Sequence, residues 1–204
     1  MRFLREVERT GQISTTVTLF LIGDGEAGKT SIIMSLKSES NRAFHIRTDH
    51  RTIGIDRSKW VPQGHSLNFT LFDLAGQAVY LQTHQLFLLR RAVYLLVWRP
   101  PEGTDRFLDL IKNIDCWLQC LQNRIPGAFA MLAVTHIDLV DPAILSSACA
   151  QVKSAVTPLL SRASASCRVV QRKARGCSAC GDKAKACLST VSLAKGYPAC
   201  ERSS

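Results

Sequence analysis

The chain has 204 residues, 46% hydrophobic and 21% charged, which fits one domain with or without a tail and excludes a wholly disordered or fibrous polymer. Its net charge of +10 is uneven: residues 162–204 hold nine Lys and Arg against two Asp and Glu, so a near-neutral body carries a basic end. The start, MRFLREVER, lacks the apolar core of a secretory signal, and the greasiest stretch, Leu86 to Trp98, is broken by Arg90 and Arg91 and is too short to span a bilayer, so a cytoplasmic protein is expected.

In chain order, Thr15 to Ile22 is a β-branched and aromatic run that stops at Gly23, as a buried strand does. A glycine-rich turn follows, then a helix over Lys29 to Lys37 with Ile32, Ile33 and Leu36 on one side. Thr52 to Trp60 and Leu67 to Phe72 read as two strands joined by a turn containing Pro62 and Gly64. Ala92 to Trp98 is a further apolar strand closed by Pro100 and Pro101. The spacing of Phe107, Ile111, Ile114, Leu118 and Leu121 predicts a helix from about Asp105 to Asn123. Ala128 to Val134 is another strand, and Asp141-Pro142 starts a helix that reaches about Ser161. This alternation predicts an α/β fold with a mostly parallel sheet and helices on both faces, and ligands at the carboxyl ends of its strands. Past Ser161 the apolar residues scatter: Cys167 to Val170 reads as one short strand and the rest as loop or disorder.

Three motifs sit where such a fold binds ligands. Gly23, Asp24, Gly25, Glu26, Ala27, Gly28, Lys29 and Thr30, with Ser31 behind them, spell G-x-x-x-x-G-K-T between a strand and a helix. The glycines let backbone N–H groups turn onto phosphate oxygens, Lys29 reaches the β- and γ-phosphates, and the Thr30 hydroxyl can ligate Mg²⁺. Alone, this loop leaves kinase, ATPase and GTPase open. The second motif is a strand ending in Asp73, an acid suited to hold Mg²⁺, followed by Gly76, whose N–H can face a γ-phosphate, and Gln77, placed to orient water. The third is Thr135-His136-Ile137-Asp138 after a buried strand, where the Asp138 carboxylate can pair with the two N–H donors on the guanine edge that adenine lacks. Between the first two, Thr52 is expected to close over Mg²⁺ and the γ-phosphate in a segment ordered by that phosphate.

Together these residues resemble a small G domain, and more narrowly the Roc (Ras of complex) domain of Roco proteins, the group that includes the leucine-rich-repeat kinases. The Thr135-His136-Ile137-Asp138 variant, Arg51 to Asp56 with Trp60, and the run His84 to Trp98 carry the narrower likeness, which spans roughly residues 10–160. It implies a Ras-like P-loop NTPase fold of six strands and five helices, binding of GTP and GDP with Mg²⁺ as cofactor, and slow hydrolysis in a signalling switch. By this likeness Gln77, Lys29 and Thr52 are catalytic, Thr30, Thr52 and Asp73 ligate the metal, and Gly76, Thr135, His136 and Asp138 join the loop in holding the nucleotide. Residues 1–12 would be a lead-in, 13–163 the G domain and 164–204 a basic tail or an atypical end of that domain. The alternative within the same family is a guanine-nucleotide-dependent scaffold or dimerisation module with negligible turnover.

Roco proteins continue into a COR (C-terminal of Roc) domain, so a fragment, truncated isoform or imperfect gene model is expected, and no His-Arg-Asp or Asp-Phe-Gly kinase motif occurs in these residues. Expected partners are protein effectors or a second copy, with weak membrane-surface contact through the basic tail. With Tyr197 as its one aromatic residue for stacking, the tail is not expected to recognise nucleic acid specifically. Cys177, Cys180, Cys187 and Cys200 resemble a zinc set with one C-x-x-C knuckle, but reduced thiols are the stronger reading.

Overall fold

The structure, a computed structural model, describes residues 15–38, 52–64, 66–76, 83, 86–162, 170–172 and 187–192. Its elements in chain order are β1 (Thr16–Ile22), α1 (Lys29–Lys37), β2 (Ile55–Trp60), β3 (Asn68–Leu74), β4 (Val93–Trp98), a 3₁₀ turn (Thr104–Arg106) and α2 (Phe107–Arg124). They continue with β5 (Phe129–Val134), α3 (Pro142–Arg162), β6 (Val170–Arg172) and β7 (Cys187–Ser192). The sheet order is β2-β3-β1-β4-β5-β7-β6. β1 pairs in parallel with β3 and β4, and β4 with β5, while β2 lies antiparallel on β3 at the edge.

Side chains alternate between two apolar layers, which is why these strands read as continuous hydrophobic runs. Phe20, Ile22, Tyr94, Leu96, Leu132 and Val134 face one side, under Ile114, Trp117, Leu118 and Leu121 of α2 and Ala148, Val152 and Val156 of α3. Leu19, Leu21, Leu71, Leu95, Val97 and Ala133 face the other, with Ile33 of α1. Phe20 stacks between Phe72 and Tyr94, with ring centroids at 4.6 and 5.3 Å. The Tyr94 hydroxyl ends in this layer by donating to the Leu89 carbonyl (2.7 Å) and accepting from the Leu89 N–H (2.8 Å). The Asp141 carboxylate caps α3 by accepting from the Ala143 N–H (2.7 Å), as the Asp-Pro pair predicts.

The expected α/β architecture is present, but the sheet is mixed where a mostly parallel one was expected: three of its six pairings are parallel and three antiparallel, and its far edge differs from the six strands expected. β7 pairs antiparallel with β5, and β6 antiparallel with β7, so the sheet holds seven strands among the described residues. Cys187–Ser192, read from sequence as loop, is one of them. Val134↔Cys187 to Phe129↔Ser192 is an unbroken register, so the edge of β5 supplies the partner that a short strand without aromatic residues cannot do without. Three α-helices lie among the described residues, and none is long and apolar enough to cross a membrane. The expected boundary at residue 12 lies outside the described residues.

Candidate functional site

The carboxyl ends of β1, β3, β4 and β5 converge on the loop between β1 and α1. That loop is forced close to the sheet: a Cβ on Gly23 would lie 2.1 Å from the Val97 carbonyl oxygen, and Gly23 has φ +129. Gly28, at φ +85, turns the chain into α1. Both positions need glycine, the first for approach and the second for conformation. The first backbone N–H groups of α1 therefore point into the loop with no side-chain cap on them, a phosphate cradle by construction.

Lys29 lies across this cradle, only 6% exposed, and donates to the carbonyls of Gly23 (2.9 Å) and Asp24 (2.7 Å). Burial draws its ammonium down to about 8, against the opposing charges of Asp73 and Asp24. Behind it, Thr30 at the start of α1, Thr52 before β2 and Asp73 near the end of β3 meet at one point. Both hydroxyls donate to Asp73 Oδ2, at 2.5 Å from Thr30 and 3.1 Å from Thr52, and the two lie 3.0 Å apart. Asp73 is 2% exposed, yet its Oδ1 has no hydrogen-bond partner. Burial raises its affinity for a proton, and the two threonines and Lys29 act in the opposite direction. A buried carboxylate oxygen left orphaned beside two hydroxyls is a set of hard oxygen donors, which suits Mg²⁺. The three residues expected to ligate the metal are thus together and fit it. No group of three or more His, Cys, Asp or Glu side chains stands ready for a metal among the described residues.

Gly76 sits against the same loop: a Cβ there would fall 2.2 Å from the Asp24 carbonyl carbon and 2.3 Å from the Gly25 nitrogen. The Ala75 N–H donates to the Gly54 carbonyl (2.9 Å), which ties the chain after β3 to the approach of β2. Gln77 lies outside the described residues.

Thr135 and His136 follow β5. The Thr135 hydroxyl donates to the Ala27 carbonyl (2.8 Å), with the Trp98 carbonyl 3.2 Å away, and the Thr135 N–H donates to Trp98 (3.0 Å). This threonine fastens the β5 loop to the phosphate loop and to β4. His136, at φ +52, brings Nδ1 to 3.0 Å from the Thr135 hydroxyl, and its ring and the Thr135 side chain pass over Gly28. Asp138 stands exposed on the turn closed by the Leu139 N–H to the His136 carbonyl (3.2 Å).

Two residues that the sequence reading missed complete the picture. From α2, Asn113 Nδ2 donates to Asp24 Oδ2 (2.8 Å) and Trp117 Nε1 approaches Asp24 Oδ1 (3.4 Å). The Asp24 side chain therefore points to α2, and only its backbone serves the cradle. Spacing four apart on one helix side was the available signal, but nothing in the sequence pairs that side with the phosphate loop. Of the four tail cysteines that resemble a zinc set, Cys177, Cys180 and Cys200 lie outside the described residues.

A family model described as "Ras of Complex, Roc, domain of DAPkinase" matches residues 18–138. The chain is 24% identical over 157 residues to probable serine/threonine-protein kinase pats1 of Dictyostelium discoideum, covering 68% of this chain and 5% of that protein. It is 25% identical over 150 residues to leucine-rich repeat serine/threonine-protein kinase 1 of Mus musculus, covering 69% and 7%. It is 32% identical over 111 residues to the Roc-COR-CHAT protease of Runella zeae, covering 49% and 12%. The solved structure of Methanosarcina barkeri Roco2 RocCORdC bound to GDP aligns at a TM-score of 0.47 and 23% identity, covering 73% of this chain and 49% of that one. This chain spans 5% to 7% of the length of the two kinase relatives. The family-model match takes in most of β1 and all of β2 to β5 but neither β6 nor β7, and the chain belongs to the Roc family, the GTP-binding G domain of Roco proteins.

Proposed function

We propose that this chain is a Mg²⁺-dependent guanine-nucleotide switch that hydrolyses GTP slowly and acts in signalling in the cytoplasm. The observation that carries the reading is the convergence of Thr30, Thr52 and the orphaned Asp73 carboxylate beside Lys29, since nothing in the packing of the domain calls for a buried, half-satisfied acid there. Asp138 selects guanine by accepting from its two edge N–H donors, with Thr135 and His136 shaping the loop that presents it.

Each residue has a separable part. The cradle of residues 23–31 holds the phosphates through backbone N–H groups. Lys29, already poised on two carbonyls, exchanges that position for phosphate oxygens and offsets charge on the transferring group. Thr30, Thr52 and Asp73 would hold Mg²⁺, which when bound neutralises charge on the β- and γ-phosphates. Gly76 offers its N–H to the γ-phosphate and Gln77 orients the water. Loss of that phosphate frees Thr52 and Gly76 together, because Ala75 and Gly54 are joined.

Phosphate release from GTP by the purified chain tests this reading. Wild-type turnover should exceed that of Lys29→Ala and of Gln77→Leu, and excess EDTA should bring it to their level. A wild-type rate no higher than that of Lys29→Ala would overturn the enzymatic reading and leave a nucleotide-dependent scaffold.

A further inference from the structure

Asp24 of the phosphate loop meets Lys29, Gly76 and helix α2. Its carbonyl accepts from Lys29 (2.7 Å), and its backbone is the surface on which Gly76 rests, where even one added carbon would collide. Its carboxylate, by contrast, is turned away from the cradle. Asn113 holds one oxygen at 2.8 Å and Trp117 approaches the other at 3.4 Å, both from α2. Together with Arg99, Leu110 and Ile114, these groups line a cavity of about 140 Å³ between the loop and α2. The loop backbone packs tightly on the sheet at Gly23 and on Gly76, whereas on the side of this cavity the Asp24 carboxylate is held by these polar contacts.

Charge gives this arrangement a consequence. A carboxylate in a phosphate loop repels the ligand if it faces inward, and a charge-assisted hydrogen bond from a neutral amide can hold it outward without adding charge. We propose that Asn113, supported by Trp117, is a positioning residue for nucleotide binding: through Asp24 it holds the phosphate loop against α2, keeping the acid off the phosphates and fixing the carbonyl that Lys29 uses and the seat of Gly76. The inference rests on the reading that this loop binds guanine nucleotide. Displacement of α2 would then change nucleotide affinity without any contact to the nucleotide.

Titration of the full chain with a fluorescent GDP in Mg²⁺ tests it. Asn113→Leu removes the donor and should weaken binding about tenfold, and Asn113→Asp, which faces one carboxylate with another, should weaken it further. The exchange pair Asp24→Asn with Asn113→Asp rebuilds the hydrogen bond with the charge now on α2, and should recover most of the affinity lost by Asn113→Asp alone. Asn113 is exposed, so nucleotide-free melting midpoints should stay within about 2 °C of wild type for all three. Unchanged affinity in Asn113→Asp, failure of the exchange pair to recover it, or losses that merely follow a falling midpoint would each overturn the positioning role. Wild-type protein that binds no GDP would instead overturn the nucleotide reading, and the inference with it.

Discussion

At the scale of single residues, the site is governed by what lies too close and what lies too dry. Gly76 has no room for a side chain against Asp24 and Gly25. Gly76→Ala must lift the chain after β3 off the phosphate loop, so under the proposed function, in which only the γ-phosphate uses that N–H, hydrolysis should fall more than about tenfold while GDP affinity changes by less than about threefold. Phosphate release and GDP titration on the same preparation separate the two. If Asp138 selects guanine as proposed, Asp138→Asn turns one of its two acceptors into a donor and should cost about tenfold or more in GDP affinity, since the base is left with an unpaired polar group.

Tyr94 gives a residue-level test of the core. Burial pushes its phenol up to about 12, opposed by its hydrogen bond with Leu89. The folded chain therefore keeps this proton at pH values where the unfolded chain, titrating near 10, has lost it. The contribution is present in full below about pH 10 and is lost as pH rises toward 12. Tyr94→Phe should lose about 1–2 kcal/mol near neutral pH, where two hydrogen bonds disappear, and the gap from wild type should narrow in melts run from pH 9 to 11.5.

At the scale of elements, helix α2 does two jobs with one face. Leu118 and Leu121 fill the core beneath it, while Asn113 and Trp117 reach the phosphate loop. Leu118→Ala should destabilise the chain by about 2–5 kcal/mol, read by urea unfolding. That face was legible in the sequence as a period of three and four, as were β1, α1, β4, β5 and the start of α3, because each couples a hydrophobic period to a sharp stop. Less legible was whatever depends on a distant partner. The strand expected from Thr52 begins at Ile55, because Gly54 takes φ +73 and gives its carbonyl to Ala75. β7 is a strand through its pairing with β5, and nothing in Cys187–Ser192 itself announces that. That the loop, Thr30, Thr52 and Asp73 would come together was legible because the motif spacing places each at the end or start of a strand beside the same loop. The fastening of Thr135 to Ala27 was not, since a hydroxyl after a strand has many possible acceptors.

At the scale of the whole molecule, the phosphate site lies where four strands end, and five of its residues come from four separate stretches of chain. Lys29 and Thr30, Thr52, Asp73 and Thr135 can meet only if the sheet is assembled in its observed order, so folding and binding are linked. A ligand that binds only the folded chain stabilises it by about 2.7 kcal/mol at a hundred times its Kd, which for a domain of this size raises the melting midpoint by several degrees. The basic tail, with its excess of Lys and Arg, would add a nonspecific attraction to any nucleotide, and ATP carries the same phosphates as GTP. Base identity is thus what separates a built site from electrostatics. The direct test is a thermal melt of the full chain in Mg²⁺ with GDP, a non-hydrolysable GTP analogue or ATP at equal concentration. The account predicts a rise with both guanine nucleotides and none with ATP, whereas equal shifts with all three, or no shift with any, would contradict it.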